Sequence, residues 1–142
     1  MVAKAVLLDT NAVIRTQLDL PIRPEAAIAV DRAAKVGSLW VSVISAWEIA
    51  MLSRNDESRT GRLFAGDAEA WFERVLGAPG VRLATVGHKV AMASCLLPDL
   101  DHRDPADRLL IAQARDMDLT LVTRDRAILD YAAQGHVRAI AC

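Results

Sequence analysis

Short apolar runs alternate along the chain with longer segments whose apolar residues recur at helical spacing. The runs occupy residues 5–8, 39–42, 81–86, 119–122 and 137–140. Continuous apolar runs of this length are typical of parallel strands that are buried on both faces. The alternation therefore predicts an α/β fold, in which a central parallel sheet of about five short strands is covered by helices on both faces.

Helical periodicity and helix-ending residues place the helices between these strands. In the segment 67–76, Ala68, Trp71, Phe72 and Val75 form one apolar stripe at the spacing of an amphipathic helix. Glycine and proline end several of the segments. Helices are predicted over residues 12–18, 25–36, 43–52, 67–76, 88–97, 104–117 and 126–133. The polar segment 54–66 is predicted to be a surface loop.

Length and charge limit the class of protein. A chain of 142 residues has the size of one domain, here residues 1–142. Its net charge of -1 is not that of a general nucleic-acid binder, although it permits a local basic rim around an acidic pocket. Its apolar runs are much shorter than the roughly 18 residues that span a bilayer. Asp9 also interrupts any N-terminal signal peptide, so we expect a cytoplasmic protein with no membrane partner.

The cysteines and histidines are scattered. Cys95 and Cys142 form no CxxC motif, so neither a disulfide framework nor a zinc site is expected. We expect Cys95 to be a buried small side chain and Cys142 to lie in a frayed terminus. His88, His102 and His136 are far apart in sequence, so we predict that they are unclustered and that none is a metal ligand.

Acidic residues stand where the predicted strands end and the predicted helices begin. Asp9 follows the first strand, and Asp125 comes shortly after the fourth. Asp104 and Asp107 lie in the first turn of the helix before that strand, and Glu48 lies within an apolar helix. Because ligands of an open α/β sheet gather outside the carboxyl ends of its strands, we expect these carboxylates to meet at one edge.

Most of these acids also have a purely structural explanation. Asp9, Asp104 and Asp125 are suited to capping helix N-termini, and Asp107 in a first turn would favour the helix dipole. Glu48 lacks such an explanation because its neighbours at helical spacing are mostly apolar. Taken one at a time, the acids leave both interpretations open.

Taken together, the acids indicate a cation site. Ionised carboxylates a few ångströms apart repel one another and raise one another's pKa, so a cation is needed to hold them near neutral pH. Oxygen ligands without cysteine or histidine favour Mg²⁺ or Mn²⁺. Two such ions about 3.5–4 Å apart can stabilise both oxygens of a phosphodiester displacement, and a single ion can activate water. The sequence leaves the number of ions open.

Four segments resemble the acidic motifs of a known family. They are LLDTN at 7–11, SAWEI at 45–49, DPADRLLIAQA at 104–114 and LVTRD at 121–125. In this order they resemble the motifs of PIN-domain proteins, and more narrowly those of VapC-type toxins of bacterial toxin–antitoxin pairs. The last two motifs are specific as a pair, and the likeness covers nearly the whole chain. It implies a PIN-like three-layer α/β/α sandwich, Mg²⁺- or Mn²⁺-dependent RNA cleavage, homodimers and inhibition by a VapB-like antitoxin.

Residue by residue, the resemblance assigns catalysis and metal binding to Asp9, Glu48, Asp107 and Asp125. Asp104 is then a helix cap or an alternative ligand. Small polar residues that match the family's support for the carboxylates are Thr10, Asn11, Ser45 and Thr123. The candidate RNA contacts are Arg108, Arg124 and Arg126.

The expected reaction is hydrolysis of an RNA phosphodiester bond that leaves a 5′-phosphate and a 3′-hydroxyl. In this hypothesis Asp9, Asp107 and Asp125 hold the metal, and Glu48 orients or deprotonates the attacking water. One alternative is a metal-dependent phosphatase with an aspartyl nucleophile, but Asn11 stands where such enzymes place a second aspartate. The other is a non-catalytic RNA- or protein-binding module, against which the retention of all four acids counts.

Overall fold

The computed structural model describes residues 5–54, 64 and 67–142. The strands are β1 (Val6–Leu8), β2 (Leu39–Ser42), β3 (Val81–Ala84), β4 (Thr120–Thr123) and β5 (Ala139–Ala141). They form one sheet in the order β3-β2-β1-β4-β5, in which all neighbouring strands are parallel. The predicted α/β class is confirmed, with β5 at one edge as expected.

Helices connect the strands in the predicted order. They are α1 (Thr10–Gln17), α2 (Pro24–Lys35), α3 (Val43–Ser53), α4 (Ala68–Leu76), α5 (His88–Cys95), α6 (Pro105–Met117) and α7 (Arg126–Ala133). The predicted ends are shifted by a few residues; α1 starts earlier than expected because the Asp9 side chain caps it directly after β1. Most of the predicted loop 54–66 lies outside the described residues.

Two apolar cores lie on opposite faces of the sheet. Adjacent residues of a strand point to opposite faces, so Val6 and Leu8 join one core while Leu7 joins the other. The first core receives buried side chains from α1, α2, α3 and α4, and the second receives them from α5, α6 and α7. This arrangement confirms the predicted three-layer sandwich.

The two cysteines differ from expectation. Cys95 is exposed, since it ends α5 on the side that faces solvent, and Cys142 is buried. The backbone N–H of Cys142 donates to the carbonyl oxygen of Thr123 at 2.9 Å, which continues the pairing of β5 with β4. This pairing carries the Cys142 side chain into the first core, so the predicted fraying is wrong.

None of the helices in the described ranges combines the length and apolar character that crossing a membrane requires.

The substitution Gly80→Ala tests the contact between α2 and the start of β3. Gly80 has a φ of 80°, and a Cβ there would lie 1.9 Å from the carbonyl oxygen of Ala34. We expect Gly80→Ala to lower the free energy of unfolding by about 3 kcal/mol, measured by urea denaturation. The added Cβ would force the backbone at Ala34 to move, and alanine would also be strained at this positive φ. Gly37→Ala is the matched control, since its φ is 69° but its Cβ would meet nothing within 4 Å. It should cost only about 1 kcal/mol, and equal losses would contradict the proposed clash.

Candidate active site

A cleft of about 370 Å³ opens beside the carboxyl ends of the central strands. It is lined by Asp9, Thr10, Asn11, Glu48, Asp104, Asp107, Arg124 and Asp125. The lining includes all five acids that the sequence placed at this edge. Parallel pairing of β1 with both β2 and β4 brings the strand ends together. The segments that follow β1, β2 and β4 supply Asp9, Glu48 and Asp125, and the start of α6, which precedes β4, supplies Asp104 and Asp107.

Asp9 is both a helix cap and a wall of the cleft. Its side chain is only 6% exposed, and its Oδ1 accepts from the backbone N–H of Ala12 at 2.9 Å. Its Oδ2 accepts a hydrogen bond from the hydroxyl of Thr123 at the end of β4. Because each carboxylate oxygen can accept more than one hydrogen bond, capping leaves capacity for a further ligand. The structural and functional interpretations of Asp9 are therefore compatible.

Glu48 is oriented by the hydroxyl group of Thr10, which is itself hydrogen-bonded to Ser45. Thr10 Oγ1 donates to Glu48 Oε1 at 2.5 Å and lies 3.0 Å from Ser45 Oγ. Ser45 is fully buried, whereas Glu48 is half-buried at the cleft. Thus α1 and α3 are joined at the point where their polar side chains meet the cleft, and Glu48 is not part of a freely solvated helix face.

Thr123 connects two of the acids. Besides donating to Asp9, its Oγ1 accepts from the backbone N–H of Asp125 at 2.9 Å. Asp125 in turn caps α7, its Oδ1 accepting from the N–H of Ile128 at 3.1 Å. One buried hydroxyl thereby fixes the relative positions of two carboxylates that belong to different strand ends.

The start of α6 supplies the remaining acids and a histidine. Asp104 Oδ1 accepts from the backbone N–H groups of Ala106 at 2.9 Å and Asp107 at 3.3 Å, which confirms the predicted cap. Asp107 Oδ2 lies 2.7 Å from His102 Nε2. Ligand atoms of His102, Asp107 and Asp125 all lie within 4.8 Å of one another.

His102 therefore lies beside two acids of the cleft, a position that the sequence analysis did not predict. The signal was its position two residues before Asp104 and five before Asp107, which keeps it near the start of α6 however the loop folds.

The loop that carries His102 is fastened by Arg108. Arg108 Nε donates to the carbonyl oxygen of Ser94 at 2.8 Å. Its Nη1 donates to the carbonyl oxygens of Leu100 at 3.1 Å and His102 at 2.9 Å. Of the arginines predicted to contact RNA, this one is directed at the protein's own backbone, while Arg124 is exposed and lines the cleft.

Electrostatic crowding is visible in the pKa of Asp107. Burial, which has the largest effect, and the carboxylates of Asp104 and Asp125 together raise this pKa to about 6, although the hydrogen bond from His102 opposes the rise. Conversely, the hydrogen bond to Asp107 raises the pKa of His102. Asp107 thus resists ionisation even with a histidine beside it, because burial and like charges outweigh that partner.

Burial and neighbouring carboxylates also raise the pKa values of Asp9 and Glu48. Burial raises the pKa of Asp9, and Asp125 raises it further, whereas the hydrogen bond from Thr123 lowers it. Burial also raises the pKa of Glu48, opposed by the hydrogen bond from Thr10, with smaller increases from Asp104 and Asp9. Each of these carboxyl groups therefore gains stability from added positive charge. A hard divalent cation fits a donor set that consists chiefly of carboxylate oxygens.

Comparison with known proteins identifies the family. The model of the PIN domain matches residues 6–134, and the chain belongs to this family. No curated protein matches the sequence closely enough to count as a relative.

Solved structures share the fold. FitAcB from Neisseria gonorrhoeae is 23% identical, with 95% of this chain and 96% of that chain covered and a TM-score of 0.61. DNA-bound VapBC from Salmonella typhimurium is 18% identical, with 96% and 97% covered and a TM-score of 0.64. A toxin–antitoxin complex from Klebsiella pneumoniae is 19% identical, with 85% and 87% covered and a TM-score of 0.56.

Raised carboxyl pKa values predict how the stability of the metal-free protein depends on pH. Between the ordinary and the raised pKa, the folded protein binds more protons than the unfolded chain, so stability falls as pH rises. For Asp107 this window runs from 3.8 to about 6. We expect the Tm in EDTA to be higher at pH 5 than at pH 7.5, measured by calorimetry.

Asp9→Asn isolates one buried charge in the same experiment. Asparagine caps helices as well as aspartate does, so the substitution removes charge and keeps the cap. At pH 7.5 in EDTA we expect it to stabilise the protein by about 1 kcal/mol, and the gain should shrink toward pH 4. The exposed Asp116 supplies the control Asp116→Asn, which should change little. A loss of stability in Asp9→Asn at pH 7.5 would contradict the repulsion described above.

Arg108→Met tests whether this arginine holds the loop. Loss of hydrogen bonds from a charged group to three carbonyl oxygens should lower the free energy of unfolding by about 2 kcal/mol. Arg124→Met, at an exposed position of the same cleft region, should cost less than about 0.5 kcal/mol. Urea denaturation of the two variants measures the difference, and equal values would refute a structural role for Arg108.

Proposed function

We propose that this PIN-domain protein is a VapC-type toxin, a metal-dependent endoribonuclease held in check by a VapB-like antitoxin. The observation that carries the proposal is the meeting of Asp9, Glu48, Asp107 and Asp125 in one cleft. The acids come from four separate segments of the chain. Helix capping alone explains some of them, but it does not explain a half-buried Glu48 among them.

In the proposal, Asp9, Asp107 and Asp125 hold Mg²⁺ or Mn²⁺. Asp107 is favoured over Asp104 as the third ligand, because the ligand atoms of Asp107 lie close to those of Asp125. When bound, the cation supplies positive charge that stabilises the developing charge on a phosphodiester.

The chain's own residues then orient water and substrate. Glu48 accepts a proton from the attacking water, and the hydrogen bond from Thr10 sets which of its oxygens remains available. Thr123 keeps Asp9 and Asp125 in register, a supporting role of the kind that surrounds metal ligands. In-line attack of water on phosphorus breaks the P–O3′ bond and leaves a 5′-phosphate on one product, and the departing 3′-oxygen takes a proton from solvent to become the 3′-hydroxyl of the other.

RNA approaches the cleft from its exposed side. Arg124 lines the cleft and is exposed, and the Arg126 side chain is 88% exposed at the start of α7. Both are placed to contact phosphates, which position a nucleic acid without reading its sequence. Because the net charge of the chain is -1, the electrostatic attraction for RNA comes from these arginines at the rim of the cleft and not from the surface as a whole.

The proposed partners are an antitoxin and a second copy of the chain, both in the cytoplasm. Support comes from the similar structures, which include a toxin–antitoxin complex. The chain also presents an apolar stripe on α3, where Val43, Trp47 and Met51 are 36%, 52% and 49% exposed. These residues are spaced four apart and so share one face of the helix that carries Glu48. A partner on this face would lie next to the cleft.

The test is cleavage of total bacterial RNA by purified protein that has been freed of antitoxin. We expect discrete fragments with Mg²⁺ or Mn²⁺ and none in EDTA. Asp9→Asn and Asp107→Asn should each lower the cleavage rate by about 100-fold or more, because each removes an anionic ligand. Asp116→Asn, on the exposed far end of α6, should cleave at the wild-type rate.

Other outcomes exclude parts of the proposal. RNA binding without cleavage by any sample would favour a binding module on the same fold. Cleavage that survives both substitutions would place the catalytic site elsewhere. Products with 2′,3′-cyclic phosphate ends would exclude the hydrolytic scheme.

A further inference from the structure

We propose that His102 is a nitrogen ligand of the divalent ion and that it shifts the site's preference from Mg²⁺ toward Mn²⁺. The inference rests on the proposed metal-dependent function and names a residue that the four acidic motifs do not contain. His102 lies in the loop between α5 and α6, outside those motifs.

The first support is the position of the imidazole. His102 Nε2 is 2.7 Å from Asp107 Oδ2, and ligand atoms of His102, Asp107 and Asp125 all lie within 4.8 Å of one another. Ligands of one ion whose bonds are each about 2.0–2.2 Å long lie no more than about 4.4 Å apart. The three side chains would therefore close slightly around the ion, and Nε2 would exchange its hydrogen bond to Asp107 for the bond to the metal. The His102 and Asp107 side chains are 26% and 18% exposed, so both are partly shielded from water.

The second support is that the loop is built to hold His102 there. Arg108 donates to the backbone carbonyl oxygen of His102 itself at 2.9 Å, as well as to Leu100 in the same loop. Near the loop's start, the Tyr131 hydroxyl donates to the carbonyl oxygen of Pro98 at 2.6 Å. At its end, Asp104 caps α6. The imidazole therefore lies on a fastened segment and not on a free one.

The third support is the chemistry of the donor atoms. Mg²⁺ demands oxygen ligands in near-ideal octahedral geometry and keeps much of its water. Imidazole nitrogen is a better ligand for transition metals than for Mg²⁺. One nitrogen among carboxylate oxygens therefore adds affinity for Mn²⁺ and adds little for Mg²⁺.

Direct ligation must be distinguished from a positioning role, in which His102 only donates a hydrogen bond to Asp107. Pulsed electron paramagnetic resonance of bound Mn²⁺ makes the distinction, because a directly bonded nitrogen modulates the echo. The chain has three histidines, so histidine labelled with ¹⁵N gives an assignable signal. The variant His102→Gln removes the imidazole and keeps a side chain that can hydrogen-bond to Asp107. The control is His88→Gln, on an exposed residue of α5.

We expect nitrogen modulation in the wild type and in His88→Gln, and its loss in His102→Gln with Mn²⁺ still bound. In calorimetric titrations with each ion, the ratio of Mn²⁺ to Mg²⁺ affinity should fall by about tenfold in His102→Gln, the size of effect seen when a metal site loses a contributing group. His102→Ala should behave in the same way. Circular dichroism confirms that each variant is folded.

Three results would overturn the inference, and only the last of them would also contradict the proposed metal-dependent function. Mn²⁺ bound by the wild type without nitrogen coupling would exclude ligation by His102 and leave the carboxylate site intact. Coupling that persists in His102→Gln would assign the nitrogen to another residue. Failure of the wild type to bind Mn²⁺ or Mg²⁺ at all would remove the metal from the proposed function as well.

Discussion

Repulsion among carboxylates at one edge of the sheet is the constraint on which the rest of the site depends. Parallel strands send their carboxyl ends to the same edge, and each helix that starts there needs an acceptor for its unpaired N–H groups. Asp9, Asp104 and Asp125 meet that need as caps, so helix formation itself gathers negative charge around the cleft. Burial then prevents water from dispersing the charge, as the pKa of about 6 at Asp107 shows. In the proposed function, capping and cation binding therefore use the same side chains.

Neutral hydroxyl groups fix the positions of these carboxylates without neutralising their negative charge. The Thr123 hydroxyl joins Asp9 to the backbone of Asp125, and the Thr10 hydroxyl joins Glu48 to α1. An arginine or lysine in either place would neutralise a carboxylate and leave less charge for a cation. The hydroxyl groups fix geometry at little electrostatic cost to the site. The cleft thus keeps carboxylates that repel one another, and in the proposed function this loss of stability is offset by a preorganised set of metal ligands.

Much of the fold follows from local rules, while the parts that were mispredicted depend on distant contacts. The apolar run at β1 and the capping residues Asp9 and Asp104 predict their elements because strand burial and helix capping depend on neighbours in sequence. Cys142 could not be placed in this way, since its burial depends on pairing between β5 and β4. The sequence position of His102 indicates a place near the start of α6 but does not indicate that its side chain faces Asp125, because Arg108 sets the path of its loop through carbonyl oxygens up to fourteen residues away. The acidic cleft was predictable because the parallel sheet itself brings the strand ends together.

The most direct test of this account is a crystal structure of the protein with Mn²⁺, with anomalous data collected at the manganese edge. The account predicts an anomalous peak in the cleft, in contact with carboxylate oxygens of Asp107 and Asp125, that disappears in Asp107→Asn. An ordered cleft without a peak at saturating Mn²⁺, or a peak bound only elsewhere on the molecule, would contradict the claim that the gathered carboxylates are a metal site.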